Sequence, residues 1–348
     1  MTGSKPIREP DFRILCDTLF CRQSSRLPLI ELGIDKQIKS VILGRPCQTL
    51  SDEIEFMYRT GYDFIKVQPG ISFFLQNASG SAPGAYKTGS KGDKNGRQWA
   101  RAESGVIQNW QDFDQYPWPD KSSIDYSRLE SVKNIIPDGM GVIGQYGDIF
   151  TLAWELMGFD NFAVAIFEQP DLIQAIIEKL SGLILSMFES MAEMEWVGIL
   201  WYSDDIATGS GPLISPALLD TFFFPHLQYI GSLCQKRQIP FIYHSDGRLW
   251  TVLDRILSSG VNGLHPIEPS SMKITEIGEK YGDRLCLCGG IDVDLLSRGS
   301  PDQVRRHTLS LKESLSGNVS WCAGSSNSIT DYVSPDNYLS MLQALLQG

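Results

Sequence analysis

Phe241-Ile242-Tyr243-His244-Ser245-Asp246-Gly247 is an apolar run that stops abruptly in an imidazole, a hydroxyl, a carboxylate and a glycine. A strand buried on both faces reads as a continuous apolar run. The polar groups that end it stand at the mouth of the sheet, where α/β scaffolds hold their chemistry. The ending recurs along the chain. Val197–Tyr202 runs into Ser203-Asp204-Asp205, Gly263-Leu264 into His265-Pro266-Ile267-Glu268, and Leu285–Cys288 into Gly289-Gly290-Ile291-Asp292. One such ending is common, but a series of them predicts an active-site rim.

Working outward, strand-like runs fall at Leu27–Ile34, Asp63–Gln68, Gly141–Tyr146, Val197–Ser203, Ile239–His244, Gly263–Ile267, Leu285–Ile291 and Val319–Ala323. Helical spacing fills most of the gaps, at Leu50–Arg59, Leu172–Ala192, Pro216–Lys236, Leu249–Ser258, Met272–Tyr281 and Pro301–Ser314. Ser215-Pro216 and Ser300-Pro301 have the pattern of a cap followed by a first turn. Strands alternating with helices imply parallel pairing, and eight units are what a closed barrel requires. A doubly wound open sheet is the rival, but its ligands gather at one switch point. Here polar residues end nearly every strand, so the expected fold is a single α/β (β/α)8 TIM barrel over residues 26–348. A tail and a short helix near Asp11–Cys21 precede it in residues 1–25. Between strands two and three lies a long insertion, about 69–138. Its first half (Asn77 to Gly96) is rich in Gly and Ser, and its second half, around Gln108–Pro119, is aromatic enough to pack as a lid or flap.

Composition narrows the function classes. Hydrophobic content of 42% with 20% charged residues belongs to a globular chain rather than a disordered one. The net charge of −11, with no basic run longer than Arg305-Arg306, argues against nucleic acid, which needs clustered Lys and Arg. Residues 1–10 lack an apolar signal core and no run reaches membrane-spanning length, so a cytoplasmic protein without a membrane partner is expected. Seven cysteines scattered over 348 residues do not form a disulfide framework.

Asp205-Ile206, Ser210–Pro216, His244–Gly247, Pro266–Pro269, Tyr281–Leu285, Gly289–Asp292 and Pro335–Asn337 occur in this order. As a set they resemble the uroporphyrinogen decarboxylase superfamily. This is a barrel family that includes true decarboxylases and zinc-dependent, corrinoid-linked methyltransferases. The resemblance runs from about Arg26 and is strongest from Trp196 onward. In the decarboxylase branch an arginine-rich motif follows the first strand, as a substrate bearing many carboxylates demands. Here Pro28–Asp35 supplies Glu31 and Asp35 and no arginine, with Arg45 the nearest downstream. An acidic rim repels an anionic substrate.

The methyltransferase branch holds zinc with a His-x-Cys pair after strand five, a Cys near strand eight and a glutamate after strand six. The matching positions are His244 and Glu268, with Asp246 in place of the first cysteine; Ser326, Asn327 or the earlier Cys322 are the alternatives for the last ligand. The resemblance therefore implies Zn2+ on His244, Glu268 and Cys322. It also implies a corrinoid on a partner protein and a small substrate, an O-methyl compound suiting a harder donor set. A homodimer is an open alternative. The catalytic candidates are Asp205, His244 and Asp246. The substrate-binding candidates are Glu31, Gln145, Tyr146, Asp204, Gly289, Gly290 and Asn327.

Plainer readings stand beside these. His244 could cap the mouth by hydrogen bonds, Asp204-Asp205 could be an N-cap pair for the next helix, and Glu268 before Pro269 could be a turn residue. Cys286 and Cys288 share one strand face by period-two alternation and read as core. Two other functions remain: a carboxy-lyase using the aspartates without a metal, and a non-catalytic small-molecule binding barrel.

Overall fold

The computed structural model describes residues 6–73, 105–317 and 319–347. Strands β1 (Phe64–Val67), β2 (Gly141–Gly147), β3 (Val197–Ser203), β6 (Phe241–His244), β7 (Gly263–His265), β8 (Cys286–Ile291) and β9 (Trp321–Ser325) form one seven-stranded sheet. Its order follows the chain, β1-β2-β3-β6-β7-β8-β9, and every pairing is parallel. The remaining two, β4 (Ala207–Thr208) and β5 (Gly211–Pro212), make a small antiparallel hairpin after β3.

The segment read as the first barrel strand, Leu27–Ile34, forms only isolated parallel bridges, Leu29 to Ala323 and Ile34 to Ile329. Ile30 N–H donates to Ala323 O at 2.9 Å, and Ala323 N–H to Pro28 O at 2.9 Å. The segment thus lies along β9, where the eighth strand of the expected barrel stands. Pro28 has no N–H to offer, and the Leu32 carbonyl is taken by the Lys66 ammonium, so no continuous ladder forms. The described sheet is a curled, open, parallel α/β sheet of TIM-barrel-like form.

The N-terminal helix Phe12–Leu19 seats against the strands rather than hanging from them. Asp11 caps it, and Leu15 and Leu19 are fully buried. Room for Phe12 comes from glycines: a Cβ at Gly141 or Gly198 would lie 2.1 or 2.5 Å from its ring. Buried Asp63 fixes the approach, pairing with Arg26 at 2.6 Å and Arg8 at 3.3 Å.

The expected helices form with local corrections. Ser300 and Gln303 make a reciprocal capping box at the start of Pro301–Ser314. The run 216–236 divides into Pro216–Phe222 and Phe224–Arg237, because Pro225 cannot supply the N–H that would continue the ladder. The Gly/Ser-rich half of the insertion lies outside the described residues. Its second half packs: Trp118 sits 4.6 Å from Tyr116 and 5.4 Å from Phe113, and Ile107 N–H donates to Leu156 O at 2.9 Å. Among the described residues no single helix is long and apolar enough to cross a membrane.

Candidate active site

Parallel register decides which strand-end residues meet. Ser203 on β3 pairs with His244 on β6, and His244 with His265 on β7. Residues in register on parallel strands point to the same side, so these three form an inward row at the strand ends. His244 is 3% exposed, and its Nδ1 lies 2.8 Å from Nδ1 of fully buried His265. Its Nε2 faces Asp205 Oδ1 at 3.7 Å and Asp246 Oδ1 at 3.9 Å. One donor atom from each of Asp205, His244 and Asp246 lies within 4.8 Å of the others. Burial holds the His244 imidazole down to about 4, Asp205 pulling it the other way. At neutral pH the ring is therefore uncharged and one nitrogen keeps its lone pair.

The carboxylates are oriented as well. Asp246 N–H donates to Asp205 Oδ1 at 2.8 Å, and Asn327 Nδ2 donates to both Asp246 oxygens, at 2.9 and 3.2 Å. Behind Asn327 stands Ser325, whose Oγ contacts both the Asn327 carbonyl and Glu31 Oε2, and whose N–H donates to Glu31 Oε1 at 3.1 Å. Burial pushes the Glu31 carboxyl up to about 8, against its Ser325 bonds and the pull of Lys66. Glu31 is thus uncharged at neutral pH, and Asp35 spends its carboxylate capping helix Lys36–Leu43 through Gln37 N–H. Of the negative pair expected here, Glu31 is therefore neutral and Asp35 is engaged at a helix start. Arg45 is no anion site either, since Asp52 and Glu55 hold its guanidinium.

Other expected site residues stand elsewhere. Asp204 is buried and caps the helix Ile149–Met157, which precedes β3 in the chain, not the helix that follows. Its oxygens accept from Phe150 N–H at 2.7 Å, Thr151 N–H at 2.9 Å, Thr151 Oγ at 2.8 Å and Tyr202 OH at 2.6 Å. Tyr146 is in register with Tyr202, whose ring packs 5.8 Å from Phe188 of the outer helix Pro170–Glu193. Period-two alternation therefore turns Tyr146 toward the helices and its neighbour Gln145 inward, where Gln145 bridges Gln68 and Ser203.

Gly290 backs onto Ile274, 2.6 Å from where a Cβ would stand, and so seats a helix. A Cβ on Gly289 would strike the Ser325 carbonyl at 2.6 Å, so the residue is held small by β9. The Glu268 carboxylate accepts from Ser271 Oγ at 2.7 Å in a turn and is outside the Asp205–His244–Asp246 group. Cys322 is outside that group too: in register with Cys288, it is fully buried beside Cys286 and Cys288.

Two residues escaped sequence reasoning, and a third, His265, was read only as part of a strand ending. Lys66 lies over the Trp201 ring, 4.6 Å from its centroid, and burial pushes its ammonium down to about 7. Its signal was a lone charge within the apolar run Phe64–Val67. His265 buttresses His244 and packs 5.0 Å from Trp201. Asp148 is held in the left-handed region at φ 73°. Its carboxyl is raised far above the ordinary range by burial first, then by Asp204 and Asp205. Asp148 directly follows β2, so the polar strand ending that marked the other mouth residues was its signal too.

The family model described as Uroporphyrinogen decarboxylase (URO-D) matches residues 94–347. Among solved structures, one titled a methyltransferase from Methanosarcina mazei aligns with a TM-score of 0.66 at 16% identity, over 97% of this chain and 98% of that one. At that identity the likeness speaks for the fold. An endo-beta-mannanase/endo-beta-glucanase from Prevotella bryantii aligns only loosely, with a TM-score of 0.39 at 12% identity, over 92% of this chain and 47% of that one. No curated protein matches the sequence.

Proposed function

The chain belongs to the uroporphyrinogen decarboxylase family, and from that premise we propose that it moves a methyl group between a small O-methyl substrate and a corrinoid carried on a separate protein. The observation that carries this reading is the buried, neutral His244 facing two oriented carboxylates, Asp205 and Asp246. The set fits Zn2+: one nitrogen and two oxygens are donors that ion accepts, and three protein ligands are the number catalytic zinc sites use. His265 on the far ring nitrogen is the kind of outer partner that fixes a ligating imidazole. In this reading Asp246 ligates from the position of the first cysteine, and Asp205 stands in for Glu268 and Cys322. A bound Zn2+ would supply Lewis-acid stabilisation to the substrate oxygen that departs as alkoxide.

The chain's own residues do the rest. Asn327 and the Asp246 N–H to Asp205 bond hold the two carboxylates in place, so the site needs little reorganisation. We assign the proton for the departing oxygen to Asp148, whose carboxyl is raised well above the ordinary range by burial and then by Asp204 and Asp205. In this reading residues 28–35, which run along β9, stand in for the first strand of a (β/α)8 barrel around this mouth. Arg8, Arg26 and Arg45 are each committed to a carboxylate and so do not serve a polycarboxylated tetrapyrrole.

The test is methyl transfer from simple methyl ethers or methanol to cob(I)alamin, with and without Zn2+, beside a uroporphyrinogen assay. Zinc-dependent methylcobalamin formation is expected. Turnover of uroporphyrinogen to coproporphyrinogen, or lyase turnover without metal or corrinoid, would overturn the reading.

A further inference from the structure

A second group of metal-ligating side chains lies toward the N-terminal end of the strands. Cys286, Cys288 and Cys322 hold their sulfurs all within 4.8 Å of one another, and Cys286 Sγ is 3.4 Å from Cys322 Sγ. All three are fully buried. Local geometry accounts for the convergence: Cys286 and Cys288 are two apart on β8, and Cys288 is in register with Cys322 on β9. The N-terminal helix closes over them. Leu19 packs where Gly263 leaves room, and a Cβ there would stand 2.6 Å from Leu19 and 3.2 Å from Cys288 Sγ.

Two residues beyond Leu19, Cys21 adopts φ 54°, a left-handed conformation uncommon for a residue with a side chain. Its sulfur lies outside the 4.8 Å group and hydrogen-bonds with Ser320, the residue before β9, so it joins the three buried sulfurs only by moving toward them. Cys21 also lines a cleft of about 810 Å³, together with Thr18, Val319, Ser320 and Trp321, so a route from solvent ends at the fourth sulfur.

We propose that Cys286, Cys288 and Cys322, with Cys21 as the fourth ligand on the cleft side, form a closed thiolate site for a thiophilic divalent cation of the Zn2+ class, separate from the barrel mouth. Tetrahedral Zn–S bonds of about 2.3 Å put sulfurs roughly 3.8 Å apart, so the three buried sulfurs need shifts of about an ångström or less. Each ligating thiol releases its proton to solvent, and four thiolates balance the ion with a net charge of −2. The site would tie the end of the N-terminal helix to β8 and β9. Bare packing of cysteines as small hydrophobes is the alternative.

The experiment uses the metal-stripped full chain titrated with Cd2+ and Co2+. Thiolate-to-metal charge-transfer absorption reports sulfur ligands only, so the His–carboxylate mouth is silent in it. One equivalent of thiolate-bound metal is expected, together with a rise in Tm. Cys288→Ser should abolish the band, and His244→Ala should leave it intact. If Cys288→Ser does not fold, Cys21→Ser decides, since its side chain is only partly buried: the band should fall by about a quarter, one thiolate of four. Absence of a thiolate band in the wild type, or an undiminished band in Cys21→Ser, overturns the proposal. Loss of methyl transfer with this band intact would instead count against the proposed function alone.

Discussion

Glu31→Gln isolates one buried proton. Ser325 Oγ carries a single hydrogen yet contacts two oxygens, Glu31 Oε2 and the Asn327 carbonyl. A protonated Glu31 serves both contacts without sharing that hydrogen, its carboxyl donating to Ser325 Oγ while Ser325 donates onward to Asn327. With its carboxyl pushed up to about 8 from an ordinary 4.5, the folded chain binds a proton that the unfolded chain has released. That contribution to stability is fully present below about pH 4.5 and is lost as pH rises through about 8. Inside the window the slope approaches about 1.4 kcal/mol per pH unit, so about 3 kcal/mol is gone by pH 7.

Lys66, pushed down to about 7, acts in the opposite sense, adding stability as pH rises from there toward its ordinary 10.5. Comparing variant with wild type at each pH cancels that contribution except for the Glu31–Lys66 interaction itself, which opposes the rise of the Glu31 carboxyl. Glutamine cannot ionise, and its amide repeats the neutral pattern, accepting from Ser325 N–H and donating to Ser325 Oγ. The Tm of Glu31→Gln should lie near that of wild type at pH 5 and exceed it by about 4 °C at pH 7, with unfolding entropy scaled to chain length. Calorimetry across pH 5–8 measures this. A difference between the two proteins that does not change with pH would refute a neutral Glu31.

His244→Ala should abolish methyl transfer to cob(I)alamin. It should also cost about 1–3 kcal/mol of stability, because it strips buried His265 of its ring partner; full activity or an unshifted denaturation midpoint contradicts this. Asp204→Asn leaves one acceptor where two oxygens serve the helix start, so a loss of about 1–2 kcal/mol is expected in urea denaturation. An unchanged midpoint would remove Asp204 from the capping role. Gly198→Ala drives a methyl group to 2.5 Å from the Phe12 ring and should cost about 1–3 kcal/mol. Amide exchange over residues 12–19 should quicken in that variant, and protection equal to wild type would show that the helix does not depend on this seat.

What the sequence by itself determined is what neighbours in the chain control. Continuous apolar runs located β2, β3, β6 and β8 close to their observed limits, and polar strand endings marked the mouth. Ser300-Pro301 with Gln303 announced a helix start, because a cap bonds within its own first turn. His244, Asp205 and Asp246 were legible as candidates, since each ends a strand or directly follows one. Which partner each residue meets was decided only by the tertiary structure. Asp204 caps a helix more than fifty residues earlier in the chain, and Cys322 faces two cysteines on β8 rather than His244. Tyr146 is turned outward by one step of alternation relative to Gln145. Glu31 reads as a negative charge until the fold buries it against Ser325, and Lys66 as an ordinary cation until it lies over Trp201. Protonation state and ligand grouping depend on exclusion of water and on approach through space, and both arise only when distant segments pack.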